Sequence, residues 1–122
     1  MNRLLLACFL AACTPGPLEP KDPLWNRENC AHCGMGLSEP RYAAQVIGPG
    51  RRVRYFDDLG CALALMRTHP ELGKGSLYVR PQGGTRWIAA QDARYRGGLQ
   101  TPMAFFMREL PHGTVRAFFE SR

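Results

Sequence analysis

The sequence has no apolar run long enough to cross a bilayer as a helix. Its longest apolar stretch, residues 4–13, is Leu-Leu-Leu-Ala-Cys-Phe-Leu-Ala-Ala-Cys, whereas a membrane-spanning helix needs about 20 apolar residues. The chain also lacks a nucleophile motif, a phosphate-binding glycine loop and a second Cys-x-x-Cys pair. These absences argue against a membrane-spanning helix, against catalysis, and against the common four-cysteine zinc site. We therefore expect that the chain is not an enzyme.

The composition is that of one ordinary globular domain. The 122 residues are 45% hydrophobic and 21% charged, with a net charge of +6. The basic residues are scattered, except that Arg51, Arg52 and Arg54 lie close together beside a predicted hairpin. No run of Lys and Arg alternates with aromatic residues, as a groove for nucleic-acid strands would require. The sequence therefore predicts a solvated basic surface and no nucleic-acid partner.

The first 25 residues read as an export signal and a tether. One arginine followed by a short apolar run is typical of a signal peptide, which we place at residues 1–12. Leu-Ala-Ala-Cys at residues 10–13 resembles the bacterial lipobox, so Cys13 is the predicted lipidation site. Proline-rich residues 13–25 would then form an extended tether, and residues 26–122 the domain. A plain signal peptide or a buried N-terminal helix are the alternatives. The prediction is an exported protein, lipid-anchored to a bacterial membrane and facing the periplasm or extracytoplasmic space.

Hydrophobic patterning in residues 26–122 predicts an α+β fold. Residues 42–47 and 53–56 read as a hairpin around Gly-Pro-Gly, and residues 77–80 and 87–90 as a second one. Asp58 is the predicted N-cap of a helix running to about Arg67. Residues 102–110 could be helical or extended, and residues 115–119 read as a closing strand. The pattern thus predicts small antiparallel hairpins plus one or two helices, and leaves room for two similar ββα-type halves.

An odd number of thiols remains once Cys8 is removed and Cys13 carries lipid. Cys30, Cys33 and Cys61 are left, and three thiols in an oxidising compartment leave at least one unpaired. The most informative stretch is Cys-Ala-His-Cys-Gly-Met, residues 30–35. It presents two thiols on one turn, and Gly34 lets the chain bend there.

Four interpretations of this motif compete. A structural zinc site would need further ligands, for which Cys61, His69 and His112 are candidates. A thioredoxin-like redox pair normally follows a strand and opens a helix, and here no strand precedes the motif. A structural disulfide could join Cys30 to Cys33, or either of them to Cys61.

Copper is the fourth interpretation, and the one that we favour. Thiolate and thioether ligands select Cu(I), and Cys33 and Met35 are separated only by a glycine. Both sulfurs can therefore converge on one ion. The candidates for a further ligand are Met103, His32, Cys30 and Met107.

Several stretches together resemble one family. They are the Leu-Ala-Ala-Cys at residues 10–13, the Cys-Ala-His-Cys-Gly-Met at 30–35, the Tyr-Ala-Ala-Gln-Val at 42–46, the Phe-Asp-Asp at 56–58, the Ala-Arg-Tyr at 93–95 and the Thr-Pro-Met-Ala at 101–104. In these the chain resembles NosL, the copper-binding lipoprotein encoded with bacterial nitrous-oxide reductase. The resemblance implies a Cu(I) metallochaperone that serves assembly of that enzyme's copper centres or its membrane assembly complex. It implies that Cys33 and Met35 bind the metal, that Met103 supplies a further sulfur, and that Cys30 is an additional candidate.

Overall fold

A four-stranded antiparallel sheet forms the centre of the fold. The structure is a computed structural model that describes residues 16, 18–80 and 85–93. The strands are β1 (Ala44–Ile47), β2 (Val53–Phe56), β3 (Ser76–Val79) and β4 (Ile88–Ala89), and α1 (Leu59–Thr68) follows β2. The order across the sheet is β2-β1-β3-β4. Because β1 pairs with both β2 and β3, all four of its residues are buried.

Local sequence explains where α1 begins and ends. The Asp58 side chain caps its first turn by accepting a hydrogen bond of 2.6 Å from the backbone N–H of Gly60. The helix ends at Thr68, before His69 and Pro70, because proline restricts the residue preceding it to extended backbone. The predicted cap and helix are both present.

The helix covers one face of the sheet. Ala44 and Val46 point to that face, since alternate side chains of a strand point to the same side. They form a buried cluster with apolar residues of α1, of β2 and β3, and of the cysteine-containing segment that precedes β1. This cluster contains Cys30 and Cys61, so the site described below is built into the edge of the core.

The opposite face is covered by residues 18–25, which the sequence assigns to the tether. The buried amide of Gln45 pairs with the backbone of Lys21, accepting from its N–H at 3.3 Å and donating to its carbonyl at 3.0 Å. The carboxylate of Asp22 accepts hydrogen bonds from Arg80 at 2.7 Å and from the Trp87 indole at 2.8 Å. This segment therefore packs as a strap against the sheet.

The α+β prediction is confirmed. Both predicted hairpins form, and they join in a single sheet through the pairing of β1 with β3. Residues 94–122, which include the uncertain segment 102–110 and the predicted strand 115–119, lie outside the described residues. Within the described part of the chain, no helix is long and apolar enough to span a membrane.

Candidate metal centre

A tight reversal of the chain presents the first two cysteines. We call residues 29–36 the cysteine turn, because Asn29 and Gly36 form an antiparallel bridge that closes it. Inside it, the N–H of Cys30 donates to the carbonyl of Met35 at 2.7 Å, and the N–H of Gly34 donates to the carbonyl of Cys30 at 3.0 Å. Gly34 has φ +78°, a left-handed conformation that suits glycine. The motif's glycine is therefore required by the backbone of the turn.

The cysteine turn is attached to the sheet beside β2. The N–H of Ala31 donates to the carbonyl of Tyr55 at 2.8 Å. Asp57 directly follows β2, and Cys61 lies in the first turn of α1. The junction between strand and helix thus brings a carboxylate and a third thiol to the two cysteines of the turn.

These elements assemble a group of four side chains, which we call the Cys/Asp cluster. Its members are Cys30, Cys33, Asp57 and Cys61, whose ligand atoms all lie within 4.8 Å of one another. Cys30, Asp57 and Cys61 are buried, and Cys33 is half-buried. All three cysteines are free thiols, so none of the predicted disulfides among them is formed. This group could hold a metal ion.

Burial raises the pKa of two thiols of the cluster, those of Cys33 and Cys61. The pKa of Cys33 is raised from 9.0 to about 11, chiefly by desolvation and further by its contacts with Cys30 and Asp57. The backbone N–H of Met35 acts in the opposite direction by hydrogen-bonding to Cys33. Burial also strongly raises the pKa of Cys61, with added repulsion from Cys30 and Asp57. A metal ion must therefore displace protons when it enters.

Asp57 has one oxygen engaged and one without a partner. Its Oδ1 accepts a hydrogen bond of 3.4 Å from the Cys33 thiol. Its Oδ2 is buried and has no hydrogen-bond partner among the described residues. A buried carboxylate oxygen without a partner is costly, and a cation would satisfy it. This is a second feature, independent of the thiols, that suits the cluster to a metal.

The structure unites some of the predicted ligands and separates others. Cys30 and Cys33 meet in the cluster, joined by Cys61, which the sequence offered only for a zinc site or a disulfide. Met35 lies two residues after Cys33 with 44% of its surface exposed. His32 is exposed and does not belong to the cluster.

The remaining candidates lie elsewhere. His69 follows the far end of α1, where its ring nitrogen contacts the Thr68 hydroxyl at 3.0 Å, so it cannot complete a zinc site with Cys61. Outside the described residues lie Cys13, Met103, Met107 and His112.

Asp57 was missed as a site residue. The signal was present in the adjacent acidic pair of residues 57 and 58, which separates a strand from a helix. A single N-cap needs only one carboxylate, and Asp58 fills that position. Asp57 is therefore not needed as a cap. Its spacing in the sequence alone did not show that it faces the cysteines.

Comparison with family models, curated proteins and solved structures found no match to this chain. The metal that the Cys/Asp cluster prefers must therefore be inferred from its own donor atoms.

Proposed function

We propose that this chain is a Cu(I)-binding lipoprotein metallochaperone that delivers copper for assembly of the copper centres of nitrous-oxide reductase. The observation that carries the proposal is the convergence of three free thiols, those of Cys30, Cys33 and Cys61, within 4.8 Å of one another. Soft sulfur donors favour Cu(I) over harder cations. The resemblance of the sequence to NosL supplies the recipient enzyme and the lipid anchor at Cys13.

Charge limits how many thiolates a Cu(I) ion can recruit. Three thiolates and one carboxylate carry four negative charges, and a single positive charge would leave a large net charge in a buried site. Cys61, buried in the core with a strongly raised pKa, is costlier to ionise than Cys33. We infer that Cys33 and Cys30 bind as thiolates, that Met35 adds a neutral thioether, and that Cys61 stays protonated beside them.

The position of the site suits transfer of the ion. Cys33 is half-buried and Met35 is exposed, whereas Cys30 and Cys61 are buried. The buried Cys30 would hold the ion from the side of the core, and a recipient protein would approach it from the side of the cysteine turn. Two or three sulfur ligands leave room for a ligand from the recipient, so copper can pass without entering solvent. This is the behaviour of a carrier, and the proposal includes no catalytic step.

A competition titration tests the copper site. The reduced full chain is titrated with Cu(I) under nitrogen against a chromophoric Cu(I) chelator, beside Cys33→Ser, Cys30→Ser and Met35→Leu. One copper per chain should bind, Cys33→Ser should abolish competition with the chelator, and Met35→Leu should weaken it. His32→Gln is the matched control, because His32 lies in the same turn, is exposed and is outside the cluster. No binding by the unmodified chain, or equal binding by Cys33→Ser, would overturn the proposal.

Delivery is tested separately from binding. The copper-loaded chain is mixed with copper-free nitrous-oxide reductase, and copper is measured in each protein after separation. Transfer that exceeds transfer from the copper-loaded chelator supports a chaperone for this enzyme. Retention of copper by the chain would leave a copper-binding protein with another role.

Zinc is a second candidate, favoured by one specific observation. A carboxylate oxygen of Asp57 lies among the three sulfurs, and four donors of this kind make a tetrahedral Zn²⁺ site. The chain would then be a structural zinc module that docks on a membrane complex. Metal analysis of the protein purified from its host separates the two candidates, because one would contain copper and the other zinc.

A further inference from the structure

The turn between β1 and β2 carries a cluster of basic residues. Arg51 and Arg52 are exposed, and Arg54 is half-buried; we call these three residues the basic tip. The neighbouring segment, Pro70–Lys74, contacts this turn and adds Lys74, with Glu71 as its one carboxylate. The exposed side chain of Val53 lies between the arginines in sequence. The tip therefore combines positive charge with an exposed apolar group.

Among the residues that the structure describes, no carboxylate pairs with the charges of the basic tip. Among the described residues, carboxylates pair with Arg41 and with Arg80, through Glu39 and Asp22. No ion pair in the described part of the chain involves the basic tip. Like charges that lie close together repel one another, and an anionic surface would relieve that repulsion.

Arg51 also has an unfavourable backbone conformation. Its φ is +62°, in the left-handed region, directly after Gly50 at φ +70°. For a residue with a side chain this conformation costs roughly 1–2 kcal/mol, a cost that glycine avoids and asparagine reduces. An arginine at such a position gives up stability, and an observed outlier of this kind is a reason to look for a role of the side chain.

The basic tip and the metal centre lie at opposite ends of the sheet. At one end Ile47 pairs with Val53 next to the tip, and at the other Ala44 pairs with Phe56, which precedes Asp57 of the cluster. A protein that rests on a surface through the tip thus directs its Cys/Asp cluster away from that surface.

The strap limits how far the domain can move from a membrane anchor. Leu18 already contacts the sheet, because its carbonyl accepts a hydrogen bond from the Tyr78 hydroxyl at 3.5 Å. Five peptide units separate it from Cys13, and fully extended they reach about 18 Å. If Cys13 is lipidated, as proposed above, the domain stays close to the bilayer and some part of its surface must face the headgroups.

We propose that the basic tip is a docking surface for anionic phospholipid headgroups. The arginines of the tip supply attraction to the bilayer surface, and Val53 can enter the boundary between headgroups and acyl chains. Docked in this way, the domain presents the Cys/Asp cluster to a partner in solution or in a neighbouring complex. The docking itself does not require that the cluster binds copper.

Amide hydrogen exchange on vesicles tests this orientation. The full chain is bound to vesicles of phosphatidylcholine alone, or of phosphatidylcholine with phosphatidylglycerol, and exchange is followed in residues 48–54 and 29–36. Residues 48–54 should be protected only on the anionic vesicles, while residues 29–36 exchange equally on both. The protection should weaken as salt is raised, because salt screens exposed charges.

Matched variants distinguish binding through the basic tip from attraction by positive charge elsewhere on the surface. Arg51→Asn with Arg52→Gln should abolish the protection and weaken binding to anionic vesicles by about fivefold per charge removed. Since asparagine tolerates the backbone at residue 51, the urea midpoint should not fall. Arg27→Gln removes an exposed arginine beside the cysteine turn, and it should leave the protection of residues 48–54 unchanged.

Three outcomes would overturn the docking surface. The first is that the chain binds no vesicles, and the second is that residues 48–54 are protected equally on neutral and anionic vesicles. The third outcome is that Arg27→Gln loses as much of this protection as the variant Arg51→Asn with Arg52→Gln. Equal protection would leave the tip as a surface for an acidic protein. Failure of the copper proposal would appear instead in the chelator titration, with the exchange pattern unchanged. Binding to anionic but not neutral vesicles would support the tip even if Cys13 carries no lipid.

Discussion

The thiol of Cys33 donates a hydrogen bond of 3.4 Å to Oδ1 of Asp57, across 24 residues of sequence. This bond joins the cysteine turn to the strand–helix junction. The proton on Cys33 therefore occupies the sulfur through which a metal ion would bind, and Asp57 holds it there. Proton and metal compete for the same position, and this competition makes several properties of the site predictable.

Replacing Asp57 by asparagine should weaken the binding of zinc but not that of Cu(I). Asparagine keeps the shape and removes a negative charge and a carboxylate ligand. Without that charge the thiol of Cys33 ionises more easily, so Cu(I) affinity at neutral pH should be unchanged or higher. Zinc, if it is the resident metal, loses a ligand, and its affinity should fall by about 10–100-fold or more. Chelator competition with each metal measures both affinities.

The control for that variant is Asp92→Asn, which removes an exposed carboxylate from the 3-10 turn Ala90–Asp92. It should change neither affinity. A large loss of Cu(I) affinity in Asp57→Asn alone would mean that the carboxylate itself helps hold the copper.

Metal affinity should rise with pH across the neutral range. The pKa of Cys33 is raised to about 11, so below that pH each ion that binds through Cys33 releases its proton. The logarithm of the apparent affinity should increase by about one per pH unit for each thiol deprotonated. Titrations between pH 6 and pH 9 measure the slope. In Cys33→Ser any residual binding should have a shallower slope, and a pH-independent affinity would exclude Cys33 as a ligand.

The metal-free protein should show the opposite dependence in its stability. Burial raises the pKa of Cys33 from 9.0 to about 11 in the folded state. Between these values the unfolded chain is ionised while the folded chain is not, so alkali favours unfolding. The contribution of the Cys33 thiol to the free energy of unfolding is complete below about pH 9 and is lost as the pH rises to about 11. Urea unfolding of the reduced protein should give similar midpoints at pH 7 and 8.5 and a lower one at pH 10, and Cys33→Ser should reduce that fall.

The sequence predicted the local elements better than the contacts between them. The cap at Asp58 and both hairpins follow from neighbouring residues, and each is present. The parts of the site that depend on distant packing were harder to predict. Cys61 was an open candidate and Asp57 was missed, because their approach to Cys33 depends on how the cysteine turn docks on β2.

The strap illustrates the same limit. Its prolines are typical of a free tether, and nothing local indicates that Gln45 will bind it. A polar residue in the middle of a strand usually indicates a solvent-exposed face. Here Gln45 is fully buried because its amide replaces water at the backbone of Lys21.

The variant Gln45→Leu should therefore destabilise the domain and release the strap. Leucine fits the volume approximately, but it leaves the N–H and the carbonyl of Lys21 without their partner. Loss of these part-buried hydrogen bonds should cost about 1–3 kcal/mol, measured by urea unfolding. Gln91→Leu, at an exposed glutamine, is the control and should change stability little. If both variants are equally stable, the strap is not part of the folded unit.

The two glycines of the cysteine turn should respond differently to alanine. A Cβ at either Gly34 or Gly36 would meet no atom within 4 Å, so steric overlap does not distinguish them. Only Gly34 has a left-handed backbone, at φ +78°. Gly34→Ala should therefore cost roughly 1–2 kcal/mol of stability and, because the turn sets the spacing of Cys30 and Cys33, should weaken metal binding. Gly36→Ala should keep the stability and the metal affinity of the unmodified chain. Urea unfolding and chelator competition measure the pair, and equal behaviour of the two variants would contradict the conformation assigned to the turn.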